Sequence, residues 1–490
     1  MRSHESEAMV GQSSDGARRS RGLLALIGAA HFLVVLDLTI VNMALPDLQF
    51  ELGLSAPGLH WVVTAYAVAF GGFLLVGGRL GDVLGRRRVF AAGVATFTLA
   101  SLACGIAPSG ETLVGARVVQ GIGAALLSPG AFAILLAAFP SGPSRTRAIA
   151  VWGSIGSLGA VIGIAAGGAL TALVGWRSVF LVNIPFGVLV LAVTRTVVPE
   201  GRAVRRRSVD VLGGALATCG VAGIVFVLSN GAVSGWTVPS TIAAAGAAAL
   251  ALGSFALRQR DAADPLVPLG LATDRGFLSA GASGLLSGAV MLGILLLLAV
   301  YLQAGRGLSP LQAAAAVLLL RAPSIGLTGL VGRLVTRLGP QPVLVLGSTL
   351  MLVGLVLLSR LPGGGSIAGT LVPALLVLSL AVPCVFVAVS AAALGNVAVE
   401  HAGVASGLLT AFQWIGGALG LALVAAVTGG VEATATHADA VADSARAGFL
   451  ACTALAAVGL AVACLGLART RDRSRYTASS ATGRAAWSAR

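Results

Sequence analysis

Lysine is missing from this chain of 490 residues, and all 32 basic side chains are arginine. Charge of either sign is scarce, at 10% of residues against about 25% in soluble proteins. No Walker motif appears, which excludes ATP as the energy source. The five histidines (His4, His31, His60, His401, His437) are scattered singly, so there is no cluster of the kind an integral-membrane enzyme would need. The five cysteines lie inside apolar runs with no CxxC or other ligand spacing, and read as small packing residues. The longest polar segments are the tails, Met1 to Arg21 and Arg469 to Arg490. No soluble domain, and nothing for a receptor to signal through, is expected. No catalytic group, metal site or cofactor is expected either.

Apolar length is abundant. Hydrophobic residues make up 57% of the chain, and its mean hydropathy is +0.95, which places it in a lipid bilayer. A span needs about 20 mostly apolar residues. Eight candidate spans fall near 22–46, 59–78, 89–108, 112–139, 148–173, 178–197, 211–229 and 236–257. Six more lie near 276–304, 308–332, 341–359, 366–395, 402–430 and 447–468, giving fourteen in all. The seventh and eighth are separated by "SNGAVSGWTVP", Ser229 to Pro239, where Gly, Asn and Pro break the run.

Arginine sets the orientation. Arg177, Arg306, Arg360 and Arg446 fall on one side of the membrane, and Arg117 and Arg321 lie inside spans. Every other arginine falls on the tails and alternate loops of the opposite side. That imbalance predicts cytoplasmic termini, so the net charge of +14 is a topology signal rather than a nucleic-acid footprint. An all-arginine composition fits a GC-rich bacterial genome. The Arg-Arg of "GARRSRGLLAL" is shaped like an export signal, but the apolar run continues to Pro46, so it reads as an uncleaved first span.

"GRLGDVLG", Gly78 to Gly85, follows span 2, and "GRLVTRLG", Gly332 to Gly339, follows span 10. Two six-helix halves separated by two inserted helices place the copies there. The expected organisation is a cytoplasmic tail (1–21), an N-terminal six-helix half (22–200), and a basic loop with two inserted helices (201–275). A C-terminal six-helix half (276–468) and a second cytoplasmic tail (469–490) follow. A tight turn accounts for the glycines of both copies. Asp82, Arg86, Arg87 and Arg88 belong to the first copy alone, either as an added latch or as a solvated turn carrying topology arginines.

Several strings together resemble the major facilitator superfamily. "GRLGDVLGRRRV" resembles its loop 2–3 signature, and "LDLTIVNMALP", Leu36 to Pro46, the first-helix signature of its fourteen-helix drug–proton antiporter branch. "LVGARVVQGIGAAL", Leu113 to Leu126, and "WRSVFLVNIPFG", Trp176 to Gly187, are similar to that branch at span 4 and at the start of span 6. The resemblance covers the whole chain. It implies an all-α membrane protein of the major facilitator fold with 14 helices, in the cell membrane, exporting drug-like compounds in exchange for protons. The proton gradient would be the energy source and a monomer the working unit. The alternatives are a facilitator-fold transporter of another small solute and, from a different class, a membrane enzyme. Two departures stand out. The Gly-Pro expected in span 5 is Gly163-Ile164 here, although Gly156, Gly159, Gly163 and Gly167 still form one helix face for close approach to a neighbour. Arg321 replaces an apolar residue or Pro.

Three ionisable residues lie well inside spans. Asp37 interrupts an apolar run at a cost of about 3 kcal/mol at a helix centre. It is either half of a packing ion pair or a carboxylate that takes and releases protons, the role the resemblance implies. Arg117 stays charged, with Gln120 and Gly121 on the same helical face. It is the expected partner of Asp37 in proton coupling. Gly78, Asp82, Gly85 and Arg86 are the expected conformational latch. Candidates for a substrate cavity are Asn42, Gln120, Arg321, Phe412, Gln413 and Trp414. Arg321 would either repel cationic substrates, pair with Glu400, or sit at a helix end. His31, about 120° around the helix from Asp37, is a packing or cavity-edge residue.

Overall fold

The computed structural model describes residues 2–54, 56–139, 142–199, 210–262, 265–308, 310–362, 368–395, 397, 401–428 and 438–488. The expected basic loop at 201–209 and Glu400 lie outside them. The elements of the N-terminal half are α1 (Arg2–Glu51), α2 (Ala56–Leu84), α3 (Arg86–Gly105), α4 (Gly110–Ala138), α5 (Pro143–Val174), α6 (Ser178–Leu181) and α7 (Asn183–Val197). Then come α8 (Val211–Ser234), α9 (Pro239–Asp261) and the short α10 (Leu269–Thr273). The C-terminal half comprises α11 (Arg275–Val300), which ends in a π turn, α12 (Pro310–Leu338), α13 (Pro340–Leu358), α14 (Ala368–Leu394), α15 (Ala402–Thr428) and α16 (Ala438–Ser488). Thirteen described helices are long and apolar enough to cross a membrane, and the apolar stretch Leu212–Leu228 within α8 is a shorter fourteenth.

Helix boundaries follow local chemistry. Ser109 and Thr112 form a reciprocal capping box at the start of α4. Asp274 accepts the amides of Gly276 and Phe277 to start α11, and Pro143 opens α5. The sixth span is broken. Pro185 has no N–H to offer Leu181 four residues back, and the chain changes from α6 to α7 at Val182.

In lipid, helices associate by close packing of small residues rather than by exclusion of water. The α1–α5 seam is built that way. Carbonyl oxygens of Phe32, Leu36 and Ile40, one per turn of α1, lie 3.1, 2.9 and 2.7 Å from where a Cβ would sit on Gly159, Gly163 and Gly167. Gly156 makes the same room for His31, at 2.8 Å.

The repeated GRLxxxLG motif needs its two glycines for different reasons. The second glycine of each copy, Gly85 (φ 100°) or Gly339 (φ 85°), makes a left-handed turn. The first is a packing residue. Gly78 abuts the backbone of Gly403 on α15, and Gly332 lies against Ala150 on α5. Each copy therefore touches the opposite half. The tight-turn reading holds only for Gly85 and Gly339.

The first inserted helix, α8, lies against both α2 and α15. Leu75, Ala217, Val221 and Leu266 form a small core there, with Leu408 and Ile415 packed on it. Cys104, Cys384 and Cys452 are buried packing residues as expected, but Cys219 and Cys464 are exposed.

Candidate functional site: a buried carboxylate network beside a central cavity

Asp37 is fully buried on α1. Arg117 Nη1 on α4 donates to its Oδ2 at 2.8 Å. Gln120 Nε2 and Asn183 Nδ2 each donate to Oδ1 at 2.8 Å. Arg117 is itself held by other acceptors, the Val62 carbonyl at 3.0 Å and Gln120 Oε1 at 2.6 Å, and its guanidinium stacks 4.3 Å above the Tyr66 ring. Gln120 also donates to Ser101 Oγ at 2.8 Å. The network thus ties α1, α2, α3, α4 and α7 through one carboxylate. Truncating one member of such a buried pair costs about 3–5 kcal/mol, because the other charge is left uncompensated.

With Asp37 ionised, three donors saturate it. Arg117 also has two neutral acceptors that do not depend on Asp37, the Val62 carbonyl and Gln120 Oε1. The structure brings Asp37, Arg117 and Gln120 together. Gln120 faces this network and does not line the cavity. Asn183, Ser101 and Tyr66 are additions that sequence reading missed. Asn183 carried a faint signal, as an amide in an apolar run just ahead of Pro185.

Beside the network lies a cavity between the two halves, enclosing about 670 Å³ counting its mouth. Val34, Val35 and Leu38 of α1 form part of its wall, on a different face from Asp37. Gln413 and Trp414 line it opposite them. Besides Gln120, three expected cavity residues do not. Asn42 is exposed and donates to the Leu38 carbonyl of its own helix at 3.1 Å. Phe412 points the other way and fills the space left by Gly281 of α11. Arg321 is half-buried on α12, away from the cavity wall. His31 is at the cavity edge, stacked on Trp152 at 4.1 Å and 15°.

The end of the bundle that carries the GRLxxxLG loops is sealed. Asp82 Oδ2 accepts the Val404 amide at 3.3 Å, placing a carboxylate at the positive N-terminus of α15. Arg86 Nη2 donates to Asp82 Oδ1 at 3.4 Å. Thus Gly78 and Asp82 both bridge the halves, Arg86 braces the acid, and Gly85 turns the chain. A second seal was not foreseen. Arg145, buried at the start of α5, donates to the carbonyls of Phe139 (3.0 Å), Leu136 (3.1 Å) and, in the other half, Gly395 (3.0 Å). A cation here complements the negative ends of α4 and α14.

Ion pairs also lie outside the spans, two of them between separate elements. Glu51 at the end of α1 accepts from Arg177 and, at 2.8 Å, from the Trp176 indole. The Arg177 hydrogen bond, then that of Trp176, holds its carboxyl below the ordinary range. Asp210 caps α8 and pairs with Arg258 at 2.9 Å. Burial pushes its carboxyl up, but the Gly213 amide and Arg258 outweigh that and leave it below the usual value.

The family model described as Major Facilitator Superfamily matches residues 27–421. The chain is similar to the "Uncharacterized MFS-type transporter EfpA" of Mycobacterium tuberculosis, with 37% identity over 82% of this chain and 76% of that one. It is 38% identical to the "Puromycin resistance protein pur8" of Streptomyces alboniger over 85% of this chain and 83% of that protein. Among solved structures, the human organic anion transporter MFSD10 (TETRAN) overlays with a TM-score of 0.64 at 17% identity, covering 89% of this chain and 99% of that one.

Proposed function

Because this chain belongs to the major facilitator superfamily, a family of transporters rather than enzymes, we propose that it is a bacterial cell-membrane exporter of drug-like compounds driven by protons. Relatives named for puromycin resistance, multidrug resistance and lincomycin resistance support the export of hydrophobic or amphipathic antibiotics. The proton gradient is the proposed energy source and the monomer the proposed working unit. Both termini are proposed to be cytoplasmic, on the arginine imbalance. On that orientation, the sealed end with Asp82 and Arg145 is cytoplasmic.

One observation carries the coupling. Asp37 is a fully buried carboxylate held by three donors, and its cationic partner Arg117 has two further acceptors that do not depend on it. A ligand shifts a conformational equilibrium only through differential affinity for its two states. Each unit of pKa difference between inward- and outward-facing forms is worth about 1.4 kcal/mol. A proton on Asp37 supplies that difference, and the five helices it ties together transmit it. Asp37→Asn keeps the size and removes the titration, so it abolishes proton movement on substrate addition to everted vesicles. Normal proton exchange by that variant would make Asp37 structural.

A further inference from the structure

The central cavity carries a chemical preference that the export reading does not specify. Among the described residues lining it there is no Asp, Glu, Lys or Arg. The nearby carboxylate, Asp37, is fully buried, and both its oxygens are occupied by Arg117, Gln120 and Asn183. A permanent cation entering the cavity would shed water with no counter-charge to meet it, a penalty that buried charges avoid only when paired. Aromatic cages can replace a carboxylate when ring faces surround the cation on several sides, but here the rings lie in pairs that spend part of their face area on each other. His31 lies flat on Trp152, Phe132 stands edge-on to Trp152 at 5.5 Å and 87°, and Phe70 meets Trp414 at 5.0 Å and 72°.

What remains for a ligand is a set of flat apolar surfaces with a few neutral polar groups. His31 and Trp414 are half-buried against the cavity. The Gln413 amide, donor and acceptor at once, lines the same cavity and hydrogen-bonds to no described residue, and His31 Nδ1 is buried without a partner. Thr410 spends its hydroxyl proton on the Ser406 carbonyl at 2.8 Å, which leaves its oxygen as an acceptor. We propose that this cavity is a site for uncharged planar aromatic compounds bearing hydrogen-bonding groups, held between His31 and Trp414 with Gln413 as the polar contact, and that it discriminates against permanent organic cations.

The inference rests on the export reading and is separable from it by experiment. The full chain in lipid nanodiscs is dialysed against three tricyclic probes. Acridone is uncharged, 10-methylacridone is uncharged with an added methyl group, and 10-methylacridinium has the same methyl and a fixed charge. The two acridones are expected to bind within a few-fold of each other and the acridinium about tenfold or more weaker. Trp414→Ala and His31→Ala should each weaken acridone about threefold to tenfold, with Trp414→Tyr and His31→Phe restoring most of the affinity. Acridinium binding as tight as acridone would overturn the proposal, as would no acridone binding, or unchanged acridone affinity in both alanine variants. If acridinium is exported in exchange for protons, the export reading stands and this inference falls. If acridone binds but moves without protons, the outcome is the reverse.

Discussion

Gly167 and Gly168 are neighbours in sequence, and the two should respond in opposite ways to the same substitution. A Cβ added to Gly167 would sit 2.7 Å from the Ile40 carbonyl oxygen and 3.2 Å from Ile40 Cα. Both atoms belong to the backbone, so neither can rotate away. The α1–α5 seam has to open by about half an ångström, and overpacking of that kind costs about 1–3 kcal/mol. A Cβ on Gly168 meets nothing within 4 Å. Both substitutions gain the same helix propensity, about 0.8–1 kcal/mol, so the difference between the variants isolates the clash. For a folding unit of 150–250 residues, 1 kcal/mol moves Tm by about 2–4 °C. Gly167→Ala should therefore melt about 2–12 °C below Gly168→Ala in detergent, read by loss of the monodisperse peak after heating. Gly168→Ala itself should match or slightly exceed the parent. Equal melting of the two variants would refute the claim that backbone contact dictates the glycine face.

Asn183→Ala removes one of three donors to Asp37, a hydrogen bond to a charged group worth about 1.5–3 kcal/mol. It should slow proton-driven export at least about tenfold in everted vesicles without lowering membrane abundance. Asp82→Asn leaves a weaker acceptor at the N-terminus of α15. It should reduce the export rate while the protein remains folded, and normal transport would reduce the loop to a turn. Glu51 titrates in the folded chain below its ordinary pKa of 4.5, so its clamp on Arg177 and Trp176 stabilises above that pH and is lost as pH falls through the lower, folded value. Glu51→Gln should accordingly lower Tm at pH 7, and the difference from the parent should shrink as the pH falls below 4.5.

The spans, the two-half plan and the Asp37–Arg117 pair were legible because helical spacing and the scarcity of charge in lipid isolate them, whereas Gln120, expected in the cavity, belongs to that pair's network. Asn183 was harder to place. It reaches Asp37 from 146 positions away, and helix periodicity says nothing about which faces of distant spans converge. The same limit governs Phe412 and Trp414. Two residues apart on α15, they face different neighbours, and sequence supplied no reference for which face meets the cavity. Asn42 is four residues beyond Leu38 on one helical stripe, yet the cavity stops before reaching it. Arg145 was counted with the orientation arginines, because a positive charge near a helix start looks the same whether it faces lipid headgroups or carbonyl oxygens.

Arg145 also makes the seal unequal in its tolerance of change. The oxygens it binds belong to the main chain at Leu136, Phe139 and Gly395, and any residue at those positions still presents one. Exchanging their side chains leaves the acceptors in place, while exchanging Arg145 removes all three bonds at once. Arg145's share of the closure is therefore encoded in its own side chain on one side and in the main chain on the other. A library of variants at the four positions should find Arg145 intolerant of every exchange and Phe139 the most permissive, with Leu136 limited by its buried side chain and Gly395 by the Ala391 carbonyl that an added Cβ would meet.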